Sequence, residues 1–187
     1  MTDIVLHTAR LALRPARDSD AARFVEILTN WNVIRMLPLA PHPYALAAAR
    51  EWIASHVVEQ GLGTAFRFVI EHDWRMIGTC DVDEIDDFSG ALGYWLEKDT
   101  WGRGFATEAA AAVVEFAFMR LGLLCLTSGH ASDNPGSGRV LAKLGFRNVG
   151  QARIWSMPRN GEIDQIRYEM ARAEWRRPTP ARSLSCV

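Results

Sequence analysis

No stretch of this chain approaches the roughly 18–20 uncharged apolar residues that a membrane-spanning helix needs. No N-terminal run resembles a signal peptide either. Cysteine is scarce. Cys80, Cys125 and Cys186 are an odd number without metal-type spacing. Two of them, Cys80 and Cys125, sit in apolar, strand-like runs and read as buried thiols, which points to a reducing compartment. His42, His56, His72 and His130 show no ligand spacing, so no metal is expected. Neither sign of charge is in excess: 21 basic residues stand against 22 acidic ones, a net charge of −1. That balance gives no electrostatic basis for binding nucleic acid or an acidic membrane surface. These absences read together as a soluble cytoplasmic protein. What is present is enough for a packed core, with 49% apolar and 23% charged residues. The 187 residues fit one domain.

The pattern alternates strand and helix signals. Arg10 to Arg14 has the period of a half-buried strand, and Asp18-Ser19-Asp20 offers a cap for a helix carrying Phe24, Ile27 and Leu28, with Asn30 as its stop. The segment Pro38 to Pro43 is too proline-rich for regular structure. Tyr44 to Gln60 reads as a second helix ended by Gly61 and Gly63. Three strands at about 65–71, 76–82 and 91–97 look like an antiparallel meander. A long helix at about 104–121 follows, its alanines at 109–112 suited to close packing on a sheet. Leu123 to Thr127 is a fully apolar strand candidate. Asn134-Pro135 opens a short helix that Gly145 ends. Strands at 146–155 and 164–170 form a final hairpin turning at Arg159-Asn160-Gly161, and 172–187 reads as a loose tail.

Chemistry concentrates at Trp101-Gly102-Arg103-Gly104-Phe105-Ala106-Thr107-Glu108-Ala109. Two spaced glycines lie between a strand end and a helix start. Free N–H groups and the helix dipole there favour an anion, and glycine lets a phosphate come close. A second segment, Asn134 through Ser137 to Lys143-Leu144-Gly145-Phe146, follows an apolar strand. Together with Gly93-Tyr94-Trp95, the opening Leu11-Ala12-Leu13-Arg14-Pro15 and Pro41-His42-Pro43-Tyr44, the order and spacing closely resemble the GNAT superfamily of N-acyltransferases, in its RimJ/RimL-like branch, over residues 8–171.

The resemblance implies an α/β (α+β) fold: a mixed, mostly antiparallel sheet of about seven strands, splayed at the acyl-CoA site and flanked by about four helices. It implies acetyl-CoA as co-substrate. Gly102, Arg103, Gly104, Phe105, Ala106 and Thr107 would cradle the pyrophosphate. Leu96 would pair with the pantetheine arm and polarise the thioester carbonyl. Asn134 and Ser137 would contact the arm, and Lys143 the nucleotide end. The superfamily's usual Gln or Arg at the head of the loop is Trp101 here, and the Tyr that often protonates the thiolate is Leu141. Ser137 is then the candidate acid. Its alternative role is to satisfy backbone donors in the first helical turn.

Candidate bases are Asp83 and Glu84 at the end of the strand at 76–82. Asp81 shares a face with Asp83, while Glu84 points the other way. The favoured reading of this acidic run is a solvated hairpin end, and a middle one is an attractor for a cationic amine, which places Asp81 among acceptor contacts. Trp31 and Tyr44, flanking the proline-rich loop, are candidates for lining the acceptor pocket. The leading function is transfer of an acetyl group from acetyl-CoA to a primary amine, on a peptide N-terminus or a small molecule, by a monomer or homodimer. A non-catalytic acyl-CoA sensor is the alternative. A nucleotide-binding domain is disfavoured because the loop lacks the Lys-Ser/Thr of a P-loop and the preceding strands do not form a βαβ unit.

Overall fold

Apolar and alternating segments fold into one sheet, and the glycines and prolines between them set its turns. The computed structural model describes residues 4–176. Strands β1 (Leu6–His7), β2 (Ala12–Arg14), β3 (Phe66–His72), β4 (Arg75–Asp83), β5 (Ser89–Leu96), β6 (Cys125–Ala131), β7 (Arg147–Ser156) and β8 (Gly161–Ala171) form an eight-stranded sheet. Its order is β1-β2-β3-β4-β5-β6-β8-β7. Among the described residues, β5 and β6 are the one pair that runs parallel. Helices α1 (Ala21–Leu28), α2 (Trp31–Ile34), α3 (Leu46–Leu62), α4 (Phe105–Met119) and α5 (Pro135–Leu144) complete the fold.

The mixed, mostly antiparallel sheet agrees with the sequence reading, with two additions. The two-residue strand β1 is too short to show a period. Helix α2 is a single turn that exists because Asn30 starts it: the Asn30 side chain accepts from the Asn32 N–H. Asn30 thus caps a new helix rather than merely stopping the old one. The apolar strand also begins later than expected. Leu123 and Leu124 precede it, and Cys125 opens β6.

Two cores result. On one face, α4 lays Phe105, Ala109, Ala110, Val113, Val114 and Ala117 against Cys80, Val82, Leu92 and Leu126 of the sheet. The small alanines, Ala109 and Ala110, are fully buried there, which lets the helix lie close. On the other face, α1, α2 and α3 pack Phe24, Ile27, Leu28, Ile34 and Ile53 against Val69 and Met76. Full burial of a side chain such as Phe24 contributes roughly 1.5–3 kcal/mol. A buried ion network joins the layers: Arg14 donates to Asp20 at 2.8 and 3.0 Å and to Glu71 at 2.8 Å. Cys80 is buried and Cys125 half-buried, and both are free thiols. Trp175 packs on Phe118, so ordered structure continues past residue 171. The rest of the expected tail, 177–187, lies outside the described residues.

Candidate active site

The parallel β5–β6 ladder is short. It pairs Ser89, Gly90 and Ala91 with Cys125, Leu126 and Thr127, and then the strands diverge. The Ser128 hydroxyl still reaches the Leu92 carbonyl, at 2.8 Å. Beyond that, β5 keeps only its antiparallel partner β4. The Glu97 N–H donates to the Ile77 carbonyl at 2.8 Å, which sets the alternation of that ladder. Leu92, Tyr94 and Leu96 therefore turn their N–H and C=O groups away from β4, into the gap. The splay expected at the acyl-CoA site is present.

A cavity of about 360 Å³ fills this gap, within the size range of small-molecule sites. Leu96, Gly102, Gly104, Phe105, Ala106 and Thr107 line one end, and Asn134, Ser137 and Lys143 line the other wall. Gly102 and Gly104 have φ of 77° and 82°, the left-handed region that glycine alone adopts freely. The first helical bond of α4 runs from the Glu108 N–H to the Gly104 carbonyl, at 3.0 Å. The N–H groups of Phe105, Ala106 and Thr107 thus precede the ladder and are open to an anion. This loop, the open strand edge and the two converging helix starts fit a phosphate-bearing chain threaded between the strands.

Several expected contacts have different roles. Arg103 does not line the cavity: its guanidinium lies over the Phe105 ring at 4.8 Å, and its carbonyl accepts from Arg10 at 3.0 Å. Arg10 also binds Glu108 through its Nε, at 2.7 Å, and so ties the N-terminal strands to the loop. Trp101 lines the cavity, and its indole N–H donates to the Leu96 carbonyl at 2.9 Å. Where the superfamily carries a side chain for phosphate, this one braces the strand end. Leu141 is fully buried in the α4-side core, so no hydroxyl stands there. Ser137 lines the cavity. Its Oγ accepts from the Asn134 amide at 3.2 Å, which leaves its own proton free to donate, while its N–H donates to Asn134 Oδ1 at 3.3 Å. The Tyr94 hydroxyl donates to the Ser137 carbonyl at 3.0 Å and fixes the start of α5 against the sheet.

The carboxylates separate clearly. Glu84 is exposed, at the end of β4 with φ of 49°. Asp83 is tied to Arg67 at 2.7 Å. None of Asp81, Asp83 and Glu84 is among the residues that line the cavity, and Asp83 and Glu84 lie where β4 ends. Asp81 is buried and opposes Gly93, a cavity residue, in the β4–β5 ladder. Burial pushes the Asp81 carboxyl up to about 7, against the pull of Arg67 3.8 Å away and with the push of Asp83. Its Oδ1 accepts from the Phe68 N–H at 3.3 Å. A Cβ built on Gly93 would meet nothing within 4 Å, so the face of the sheet beside Asp81 is open there.

Trp31 and Tyr44 do not line the cavity. Trp31 packs at a tilt against His42, and Tyr44 is buried in the α1–α3 core. The same stretch of chain does supply a wall, through Val33, Met36 and Leu37. Val33 comes from α2 and Met36 and Leu37 from the turn after it, a stretch too short to show a period in sequence. His130 was also missed. It lines the cavity, its Nδ1 donates to the Ala131 carbonyl at 2.8 Å, and its Nε2 faces the Tyr168 hydroxyl at 3.4 Å. Among the described residues, no group of three or more His, Cys, Asp or Glu converges as a metal site. No helix among them is long and apolar enough to cross a membrane.

A strand pair opened for a threaded ligand, with a glycine loop and helix start at its end, defines an acyltransferase of the GNAT class. Residues 10–147 match the acetyltransferase (GNAT) domain family, and the chain belongs to that family. It is similar to the uncharacterized N-acetyltransferase p20 of Bacillus licheniformis, 26% identical over 91% of this chain and 97% of that protein. It is also similar to the [ribosomal protein uS5]-alanine N-acetyltransferase of Escherichia coli, 24% identical over 95% of this chain and 94% of that protein. Among solved structures, RimJ of Mycobacterium smegmatis in complex with CoA-disulfide superposes with a TM-score of 0.81 at 23% identity, covering 92% of this chain and 88% of that one. The ribosomal-protein-S5-alanine acetyltransferase of Vibrio fischeri gives 0.80 at 21% identity, covering 93% and 100%. The fold is that of the RimJ/RimL-like acetyltransferases, and the family is one of acyl-transferring enzymes. None of this supports the non-catalytic sensor.

Proposed function

We propose that this protein transfers the acetyl group of acetyl-CoA directly to a primary amine. The carrying observation is the gap where β5 leaves β6 at Leu92–Leu96, facing the N-termini of both α4 and α5. Residues 8–171 form the working unit, and the cytoplasm is its natural compartment. The E. coli and V. fischeri relatives are named for acetylating an alanine of a ribosomal protein. That supports a peptide or protein amine as acceptor, alongside small-molecule amines.

Bound acetyl-CoA supplies the activated acetyl group as a thioester. The N–H groups of Phe105, Ala106 and Thr107 hold its pyrophosphate, with Lys143 toward the nucleotide. Leu96 and Tyr94 donate backbone N–H groups to the arm and to the carbonyl that takes on negative charge. Asn134 orients the arm. Asp81, not Asp83 or Glu84, is the best-placed base. It is the ladder partner of Gly93, whose side of the sheet is open, and a carboxyl near 7 is half ionised at neutral pH, where a base is most effective. Asp81 takes a proton from the attacking amine, and the Ser137 hydroxyl, held by Asn134, gives its proton to the departing sulfur and regains one from water.

Titration calorimetry with acetyl-CoA, CoA and ATP, followed by turnover on a panel of peptides and small amines, tests this reading. Micromolar binding confined to the CoA compounds and acetylation of at least one amine are expected. Preference for ATP, or CoA binding without any turnover, would sink it.

A further inference from the structure

The cavity has two walls on separate parts of the chain, and one ion cluster joins them. Val33, Met36 and Leu37 form an apolar wall with Trp95, and Asn134 and Ser137 form the opposite one. Asp133, the residue before Asn134, accepts from Arg35 at 2.6 Å and from both terminal nitrogens of Arg159, at 3.0 and 2.9 Å. Arg159 stands at the tip of the β7–β8 hairpin. Its Nε donates to the Arg35 carbonyl at 2.9 Å, and its Nη2 contacts Met36 Sδ at 3.6 Å. The Met157 N–H donates to the Pro38 carbonyl at 2.8 Å, a second tie between the hairpin tip and the same loop. Arg159 therefore grips the acceptor-side wall by backbone and side chain while anchoring to the residue beside Asn134. The hydrogen bonds from Arg159, with those from Arg35, hold the Asp133 carboxyl down to about 2, so the cluster stays charged at any working pH.

We propose that Arg159, Asp133 and Arg35 form a positioning clasp that sets the Val33–Leu37 wall against the acyl-CoA side, so that the site accepts an amine carried on an apolar body. The inference rests on the acetyltransferase reading. None of the three residues touches the reacting atoms. They act through Met36 and its neighbours. The fork geometry of arginine is essential, because lysine cannot bind a carboxylate at two points and a carbonyl at a third.

The test compares wild type, Arg159→Ala and Arg159→Lys with two acceptors, 2-phenylethylamine and 1,4-diaminobutane. Both variants should raise KM for 2-phenylethylamine about tenfold or more. They should leave acetyl-CoA affinity within about twofold, kcat within about threefold, and KM for the diamine little changed. Hydrogen exchange of backbone amides at 31–38 should accelerate in both. An unchanged KM for the apolar amine, full rescue by lysine, or equal losses in acetyl-CoA affinity and both acceptors would overturn the clasp. If wild type binds acetyl-CoA but acetylates no amine, the functional reading fails. The clasp is then decided by exchange alone: faster exchange at 31–38 with CoA affinity intact supports it, and unchanged exchange overturns it.

Discussion

Asp81 and Gly93 oppose each other across the β4–β5 ladder, a buried carboxyl beside a residue with no side chain. The pair places an acid at an open patch of sheet next to the acyl-CoA gap. With the Asp81 carboxyl at about 7, kcat/KM should climb with pH through that value as the base ionises. Asp81→Asn should abolish this limb and lower kcat by about 10²–10⁴-fold. Stability should move the other way. The folded carboxyl holds its proton more tightly than the unfolded one, so this group's contribution falls as pH rises from the ordinary Asp range, about 4, to about 7, and is flat above. Asp81→Asn should therefore gain in thermal midpoint relative to wild type at pH 8 and not at pH 4. A pH–rate limb that survives the substitution would remove Asp81 as the base.

Gly93 gives a complementary test. An alanine there adds a Cβ that meets nothing within 4 Å, and the backbone is ordinary, so Gly93→Ala should fold with the wild-type thermal midpoint. The methyl group nevertheless occupies the patch where the acceptor nitrogen must approach. Acceptor KM should rise several-fold, and Gly93→Val should raise it further, with acetyl-CoA binding kept. Wild-type acceptor kinetics in both variants would show that the amine approaches elsewhere.

For Ser137, the structural and catalytic roles separate cleanly. Capping of α5 runs from the Ser137 N–H to the Asn134 side chain, a bond that Ser137→Ala retains. Stability should change by no more than about 0.5 kcal/mol. Loss of the proton donor should lower kcat by about 10²-fold or more with little effect on acetyl-CoA affinity. A kcat within twofold of wild type would leave Ser137 as a helix-start residue only.

Much of this site can be read from residue order alone, because its cradle is made of backbone. Glycines at 102 and 104 and the cap at Asn134 announce where N–H groups are free, and the structure places them as the pattern implies. The base could not be read that way. Asp81, Asp83 and Glu84 are equivalent in composition. What separates them is depth in the sheet and the guanidinium of Arg67, which sits 14 positions before Asp81 in sequence and directly opposite it in the ladder. Trp31 and Tyr44 stand out in the sequence as acceptor-wall candidates because they flank the proline-rich loop, where the resembled family builds that pocket. The side chains that reach the cavity come from α2 and the turn after it, which backbone bonds from Val33, Ile34 and Arg35 hold and the Asn30 side chain caps. Arg10 has a bracing role that no local pattern encodes, because Arg103 and Glu108 lie more than ninety positions away, and Trp101 braces Leu96, five positions away, by a side-chain bond that no spacing announces.

The glycine cradle predicts a specific defect. At Gly104 the backbone φ is +82°, so alanine costs about 1–2 kcal/mol, and its Cβ would lie 3.5 Å from Arg10 Nη2. Gly104→Ala should lower the thermal midpoint modestly and raise the acetyl-CoA dissociation constant about tenfold or more, with acceptor KM at saturating acetyl-CoA unchanged. Equal weakening toward both substrates would mean general disorder of the loop and not loss of a phosphate contact.

Acid sensitivity should trace to Asp20. Burial pushes its carboxyl up, but the hydrogen bonds from Arg14 and the Arg17 N–H outweigh this and bring it below the ordinary Asp value. A depressed folded pKa means that the stabilisation is fully present above the unfolded value, about 4, and is lost as pH falls through the folded one. Asp20→Asn leaves Arg14 buried with only Glu71 as counter-charge. Breaking such a pair costs about 3–5 kcal/mol at neutral pH. The gap between variant and wild type should then shrink below pH 4, because wild type loses the same charge by protonation. Urea unfolding at pH 7 and pH 3 measures this directly. A gap that stays constant across that range would mean that Asp20 acts through shape alone, and that the ion network contributes nothing to the union of the two layers.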